Sequence, residues 1–264
     1  MNNREYNRES WEEIKEQRAR KAKDHRNRMS RLFSKETAES VKNTKIYGVD
    51  AKFNENTNSN DKETIIEIID TDTVSAASIY KDKEKVALLN FASYKHPGGG
   101  FLKGSMAQEE SLCHESNLYS VLACFSNTYY AWNYKNLNRV MYRNRALYTP
   151  NVVFRDKEFT CDVITCASPN RKASQRYNFT TEGENSEALR ERIKFILDIA
   201  REEGVQTLIL GAFGCGAFGQ NPTEVSKIFK EYLETTHKCF ERVVFAIPDG
   251  KNNNLKEFKN TFKM

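Results

Sequence analysis

The sequence predicts an α/β protein with three layers, in which helices cover both faces of a mixed central sheet. One observation is that short apolar runs alternate with helical patterns over most of the chain. Another is that two of these runs lead directly into glycine-rich segments, as is typical of ligand sites at the carboxyl ends of parallel strands. The length of 264 residues is sufficient for an α/β core of this size.

In the first half of this fold, the pattern predicts a strand, a helix and a second strand. Residues 64–69 are rich in isoleucine, Asp72 can cap a helix that reaches Tyr80, and residues 86–89 form a buried apolar run. This order indicates a parallel crossover. The polar run 54–61, which precedes these elements, predicts an exposed loop.

The alternation continues to the end of the chain. Strands are predicted at 152–154, 161–166, 207–210 and 242–247, and helices at 187–203, 222–235 and around Phe258. Between the halves, residues 127–148 combine aromatic and basic side chains. This segment is either an irregular insertion over the preceding helix, which we favour, or a nucleic-acid surface.

Residues 1–47 are charged and helix-prone, which predicts a helical N-terminal extension to a domain spanning residues 48–264. The stretch 18–31 is strongly basic. It is interpreted as an accessory helix on the domain surface, and an arm that binds nucleic acid or a polymer is the alternative.

Composition limits the classes of function. Lysine and arginine total 41 against 36 acidic residues, a net charge of +5 that suits an anionic ligand without requiring nucleic acid. With no long apolar stretch and no apolar N-terminal region, we expect a soluble cytoplasmic monomer that binds no membrane. The cysteines are not spaced like metal ligands, so we expect reduced buried thiols, no metal and no cofactor; they are Cys113, Cys124, Cys161, Cys166, Cys215 and Cys239.

The first glycine-rich segment follows the apolar run 86–89 and covers residues 96–110. Gly98, Gly99 and Gly100 have no Cβ, so their N–H groups can approach an anion closely. Glu109 and Glu110 follow, and a carboxyl group that gives up and retakes a proton is what cleavage of a glycosidic bond requires. Taken alone, the glycines are also consistent with a flexible turn, and the glutamates with a solvated helix start.

The second glycine-rich segment, 211–222, follows the predicted strand 207–210. Its glycines alternate with small and aromatic residues and end at Asn221-Pro222, which predicts a phosphate-binding loop backed by a helix N-terminus. No lysine follows as in a P-loop, and a dinucleotide fingerprint is expected after the first strand rather than this late. These features argue against a Rossmann-like transferase or dehydrogenase.

Together, the glycines at 98–100 and the triplet Gln108-Glu109-Glu110 resemble the signature of microbial poly(ADP-ribose) glycohydrolases. The second loop resembles the diphosphate-binding loop of macrodomains, in the form with two aromatic residues that this family shows. The resemblance implies a macrodomain-like fold in which the diphosphate of ADP-ribose lies between the two loops. The implied loop residues are Gly98, Gly99, Gly100, Gly214, Cys215, Gly216, Ala217 and Phe218.

The resemblance also implies individual roles. Glu110 is expected to be the general acid and base, and Glu109 to orient a ribose hydroxyl. Asn90 matches the position that holds the distal ribose, and Gln108 is expected to fix the loop. Phe218 is expected to pack on the ligand, whereas Phe213 either shapes the same pocket or anchors the loop in the core.

The function expected from this resemblance is hydrolysis of ribose–ribose O-glycosidic bonds in poly(ADP-ribose), with ADP-ribose as the product. ADP-ribosylated proteins are the other expected partners. The alternatives are a macrodomain that binds ADP-ribose without turnover, or a hydrolase of mono-ADP-ribosylated protein or nucleic acid.

Overall fold

The computed structural model describes residues 10–54, 63–250 and 252–264. In these ranges, seven strands form one mixed sheet in the order β1-β4-β5-β3-β6-β7-β2. The pairs β1–β4 and β4–β5 are antiparallel, and the other neighbours are parallel. The strands are β1 Lys45–Tyr47, β2 Ile65–Ile69, β3 Val86–Phe91, β4 Ala146–Phe154, β5 Phe159–Cys166, β6 Thr207–Leu210 and β7 Arg242–Ala246.

Helices lie on both faces of this sheet, which confirms the predicted three-layer α/β fold. Leu88, Ile209 and Val244 pack on one face against α1, α3, α4 and α5, whereas the alternate strand residues pack on the other against α8, α9 and α10. The helices in the described residues are α1 Trp11–Leu32, α2 Ser34–Asn43, α3 Thr73–Ile79, α4 Gln108–His114, α5 Leu118–Ala123, α6 Ala131–Lys135, α7 Arg171–Tyr177, α8 Glu182–Glu202, α9 Pro222–Glu234 and α10 Asn254–Phe262.

In the described part of the N-terminal segment, residues 11–32 and 34–43 are helical, but the last residues belong to the sheet. Lys45–Tyr47 forms the edge strand β1, so the expectation of a helical extension through residue 47 is wrong at its end. Three residues were too few for a recognisable strand pattern. In α1, Ala22 and Met29 are buried, and the Lys15 carbonyl lies so close to Gly104 that a Cβ there would overlap it. The predicted boundary between residues 47 and 48 remains a prediction.

The other elements agree with the predicted order, with one refinement. Strands β2 and β3 run parallel, but β6 and β7 lie between them. Tyr129 and Tyr130 of the aromatic segment are buried in the same cluster as Leu112 of α4, which is the predicted packing over the active-site helix. Most of the predicted loop 54–61 lies outside the described residues.

Two further expectations concern cysteines and membranes. Four of the six cysteines are buried, Cys239 is half-buried and Cys124 is exposed, and no disulfide joins any two of them. None of the helices in the described ranges has the length and apolar character needed to cross a bilayer.

Candidate active site

A cleft of about 580 Å³ opens at the carboxyl ends of the parallel strands. Its walls come from the segments that follow β2, β3, β6 and β7, which is where ligands bind in parallel α/β sheets. The lining residues are Asp72, Thr73, Val74, Phe91, Met106, Ala107, Gln108, Ser111, Leu112, Ala212, Gly214, Gly216, Ala217, Phe218, Ala246, Ile247, Pro248 and Asn254.

The Glu110 carboxylate is fixed at this cleft by two backbone groups. Gly100 N–H donates to Oε1 over 2.7 Å, and Ala107 N–H donates to Oε2 over 2.9 Å. Ala107 lines the cleft and Glu110 does not, so the Glu110 carboxylate lies behind the part of the wall that Ala107 forms. The side chain is only 6% exposed and occupies the first turn of α4.

The Glu109 carboxylate lies deeper, at the end of β3. Ser93 N–H donates to Oε2 over 2.7 Å, and the Asn90 side-chain amide donates to Oε1 over 3.3 Å. Burial, together with the nearby charge of Glu110, raises the pKa of Glu109 to about 8, although the hydrogen bonds from Ser93 and Asn90 act to lower it. Glu109 therefore keeps a proton near neutral pH.

Gly99 explains why these carboxyl groups can lie side by side. Its φ is +58°, and a Cβ added there would lie 2.5 Å from Glu110 Oε1 and 2.9 Å from Glu109 Oε2. Only glycine provides this backbone conformation without filling the space that the two carboxyl groups occupy.

Gln108 ties the start of α4 to the end of β3. Its side-chain oxygen accepts from Phe91 N–H over 2.8 Å, and its amide donates to the Leu89 carbonyl over 2.8 Å and to Thr73 Oγ1 over 3.2 Å. One side chain thereby completes the hydrogen bonding of a strand end and fixes the following glutamates relative to the sheet.

The second glycine-rich loop forms the opposite wall of the cleft. Gly214, Gly216, Ala217 and Phe218 line it, and Gly214 has a φ of +76°. The loop turns back on itself through hydrogen bonds from Gly219 N–H to the Gly216 carbonyl and from Gln220 N–H to the Gly214 carbonyl. Apart from Phe218, the part of this loop that faces the cleft therefore carries no bulky side chain.

Comparisons with known proteins agree with this geometry. A family model described as microbial-type PARG, catalytic domain, matches residues 9–156. The chain belongs to this family. It is therefore a member of the microbial poly(ADP-ribose) glycohydrolases, which confirms the family and the enzyme class expected from the sequence motifs.

Solved glycohydrolases of this kind superpose on nearly the whole chain. The enzyme from Thermomonospora curvata is 29% identical with a TM-score of 0.85, and the match covers 94% of this chain and 100% of that one. The same enzyme bound to the inhibitor ADP-HPD is 28% identical with a TM-score of 0.80, covering 93% and 99%. The Deinococcus radiodurans enzyme in complex with ADP-ribose is 30% identical with a TM-score of 0.75, covering 86% and 97%. No curated protein matches this sequence.

Several residues expected at the site of this PARG family member do not face the cleft. Asn90 is fully buried behind Glu109, and within the described residues its Oδ1 has no hydrogen-bond partner. The Cys215 side chain packs into the core under its loop, and burial raises the pKa of its thiol to about 12. Phe213 is fully buried against Phe91, so it anchors the loop in the core and does not line the cleft.

The predicted helix N-terminus behind the second loop also requires correction. The Asn221 side chain caps α9 by accepting from Thr223 N–H and Glu224 N–H. These three residues line a separate open groove with Arg190 and other residues of α8. The turn at 216–220 directs α9 away from the cleft, so the ligand wall here is loop backbone.

Sequence reasoning missed the residues that line the cleft after β2 and β7, and one hydrogen-bond donor to Glu109. Asp72 and Thr73 follow β2, Pro248 follows β7, and all three line the cleft. The signal that could have found them is their position after parallel strands. Ser93 acts through its backbone N–H, and its side-chain type carries no signal for that role.

A metal site has no support from the arrangement of side chains. In the parts of the chain that the structure describes, no three His, Cys, Asp or Glu residues are grouped so that they could hold a metal ion. Catalysis without a metal or a cofactor stays a prediction.

Proposed function

We propose that this chain hydrolyses ribose–ribose O-glycosidic bonds of poly(ADP-ribose) and releases ADP-ribose, with Glu110 as the general acid and base. The observation that carries the proposal is the carboxyl pair fixed around Gly99 at the wall of a cleft with a glycine-rich loop opposite. The related T. curvata and D. radiodurans enzymes, which bind ADP-HPD and ADP-ribose, support the same ligand class.

In this proposal, the cleft holds the terminal ADP-ribose unit. A volume of about 580 Å³ is suitable for one nucleotide-sized ligand. The backbone N–H groups of the loop at Gly214, Gly216 and Ala217 bind the diphosphate, and Phe218 packs on the adenosine-proximal part. The ribose with the scissile bond then lies toward Ala107, beside the Glu110 carboxyl.

The reaction then needs one group that gives and retakes a proton. Glu110 in its protonated form donates a proton to the ribose oxygen that leaves the anomeric carbon, while the C–O bond breaks and positive charge develops on the sugar. The resulting carboxylate removes a proton from the attacking water, whose oxygen forms the new bond to the anomeric carbon. The proton returns to Glu110, and general acid–base catalysis of this kind contributes about 10²–10⁴-fold.

Glu109 has a positioning role in the same proposal. Its raised pKa leaves it protonated near neutral pH, so its carboxyl can donate a hydrogen bond to a ribose hydroxyl. Asn90 holds it from behind, and Ser93 N–H fixes its other oxygen.

The test is release of ADP-ribose from poly(ADP-ribose), with wild type beside Glu110→Gln and calorimetry of ADP-ribose binding to both. We expect turnover by the wild type, and an inactive variant that still binds. Glu187→Gln is the matched control, because Glu187 lies on α8 in the separate groove. Binding without turnover on polymeric and mono-ADP-ribosylated substrates would identify a reader, and no binding would refute the ADP-ribose site.

A further inference from the structure

The charge distribution around the catalytic glutamates differs from that of the rest of the chain. From residue 85 to 108 and from 116 to 155, the sequence contains eight Lys and Arg residues and no Asp or Glu. The net charge of the whole chain is only +5, so the positive charge of these two segments exceeds the net charge of the whole chain. Glu109 and Glu110 lie between them, which places the positive charge on both sides of the catalytic pair.

Tyr94 brings the two segments together. Its carbonyl accepts from the Asn133 side-chain amide over 2.9 Å, and its hydroxyl donates to the Asn136 carbonyl over 3.2 Å. The same hydroxyl accepts from Arg143 N–H over 3.2 Å. Its ring stacks on Tyr142, with 4.2 Å between ring centroids. These contacts fix residues 133–143 against the chain that leads into the first glycine loop.

Three basic residues belong to the backbone segments that these contacts join: Lys95 follows Tyr94, Lys135 precedes Asn136, and Arg143 donates its backbone N–H to Tyr94. We call these three residues the basic cluster. Lys135 and Arg143 are exposed and Lys95 is half-buried. No carboxylate of the described residues forms an ion pair with any of them.

Other arginines of the same segment differ from the basic cluster. Arg139 forms an ion pair with Glu184 at 2.9 Å. Arg145 is buried, with its guanidinium 4.3 Å from the centroid of Trp132. Both therefore have structural partners, unlike the three residues of the basic cluster. Tyr134, next to Lys135, adds an aromatic ring that is 62% exposed.

The basic cluster borders the catalytic end of the cleft. Ser93, which precedes Tyr94, donates its N–H to Glu109. Tyr142, which stacks on Tyr94, lies 6.1 Å from the ring of Phe218 in the cleft wall. None of the three cations lines the cleft itself. A ligand that only fills the cleft does not need them, whereas a chain that leaves the cleft next to Glu109 passes over them.

We propose that the basic cluster binds the diphosphate of the ADP-ribose unit adjoining the one that is cleaved, and that Tyr134 stacks on the adenine of that unit. This inference rests on the proposed function, since it identifies the polymer as the substrate class of the same site. Each polymer unit carries a diphosphate and a base, and cations beside an exposed aromatic ring are the groups that bind such a chain. A mono-ADP-ribosylated side chain provides neither group at that position.

The test neutralises the basic cluster in a triple variant, Lys95→Gln/Lys135→Gln/Arg143→Gln. The matched control is Lys42→Gln/Lys227→Gln/Lys238→Gln, in which three exposed lysines on other elements lose the same charge. We expect kcat/KM on long poly(ADP-ribose) to fall by about tenfold or more through KM, and its slope against salt on logarithmic axes to become shallower by about two. ADP-ribose affinity and turnover of a mono-ADP-ribosylated substrate should stay within about twofold of wild type.

A second measurement separates this inference from the proposed function. Polymer binding is compared in the Glu110→Gln background with and without the triple substitution, which needs no turnover. Tyr134→Ala in that background should weaken polymer binding by about fivefold or more. Unchanged polymer affinity in the triple variant overturns the inference even if the wild type is an active hydrolase. Equal losses on polymer and on ADP-ribose, or equal competition by single-stranded RNA with as many phosphates, also overturn it.

Discussion

Gly99→Ala tests directly whether the two carboxyl groups must lie side by side. The added Cβ would lie 2.5 Å from Glu110 Oε1 and 2.9 Å from Glu109 Oε2, in a backbone with a φ of +58°. Gly204→Ala is the matched control, because Gly204 has a φ of +66° and a Cβ there meets nothing within 4 Å. Both variants carry the same backbone strain, and only Gly99→Ala displaces the carboxyl groups.

The expected magnitudes follow from these contacts. Backbone strain destabilises each variant by about 1–2 kcal/mol. Gly99→Ala also weakens the hydrogen bonds from Gly100 and Ala107 to Glu110, and each hydrogen bond to a charged group contributes about 1.5–3 kcal/mol. We therefore expect an additional destabilisation of about 2–4 kcal/mol and a kcat lower by about 10²–10⁴-fold, the range of acid–base catalysis.

The assay for this prediction is urea unfolding of both variants, together with kcat for ADP-ribose release from poly(ADP-ribose). Circular dichroism at the assay temperature verifies that each variant is folded. If Gly99→Ala equals Gly204→Ala in stability and retains kcat within tenfold of wild type, the carboxyl groups are not fixed around this glycine, and the proposed catalytic geometry is refuted.

Three further predictions concern buried groups. The pKa of Glu109 is raised from 4.5 to about 8, so its carboxyl stays neutral in the native protein over a pH range in which the unfolded chain ionises it. The free energy of unfolding of the wild type therefore falls as pH rises through this range. Between pH 4 and pH 9, urea unfolding should show the free energy of unfolding of Glu109→Gln increasing by about 4 kcal/mol relative to that of the wild type. Phe213→Ala should lower the free energy of unfolding by about 3–5 kcal/mol, because the ring is fully buried. Phe218→Ala should instead raise the calorimetric Kd for ADP-ribose by about fivefold or more, with a loss of stability below about 2 kcal/mol; the reverse pattern would contradict both assignments. Although burial raises the pKa of Asp198, hydrogen bonds from His237 and Lys194 lower it below its usual value, so its contribution to stability is present above pH 4 and is lost as pH falls further. Asp198→Asn should lower the free energy of unfolding by about 3–5 kcal/mol at pH 7 in thermal unfolding and show less acid dependence than wild type.

The central strands were predictable because local patterns determine them. Residues 86–91, 161–166 and 207–210 are buried on both faces, and such strands are continuous apolar runs. The strand order was not predictable, since the pairing of β2 with β7 joins residues about 180 positions apart and no local pattern records it. For the same reason, Lys45–Tyr47 was not recognised as a strand until its pairing with β4 was seen.

The candidate site also combines features that the local sequence pattern predicts with features that depend on tertiary contacts. Its location followed from glycines after a buried strand, but the relative burial of Glu109 and Glu110 did not follow from their adjacency. That difference arises because Glu109 is directed toward Asn90 and Ser93 at the strand end, whereas Glu110 is directed toward Gly100 and Ala107. Neighbouring residues on a helix point in directions about 100° apart, so two identical side chains acquire different environments.

The pairing of β1 with β4 has a consequence for the synthesis of this protein. Strand β1 is among the first described segments to leave the ribosome, but its partner β4 ends at residue 154. Strand β2 forms the opposite edge of the sheet, and its partner β7 is synthesised later still, since it ends at residue 246. Strand β1 therefore lacks its partner until residue 154 has been synthesised, and β2 lacks its partner until residue 246 has been synthesised. A chain with such long-range pairing folds slowly, and its nascent form is the state that a chaperone meets.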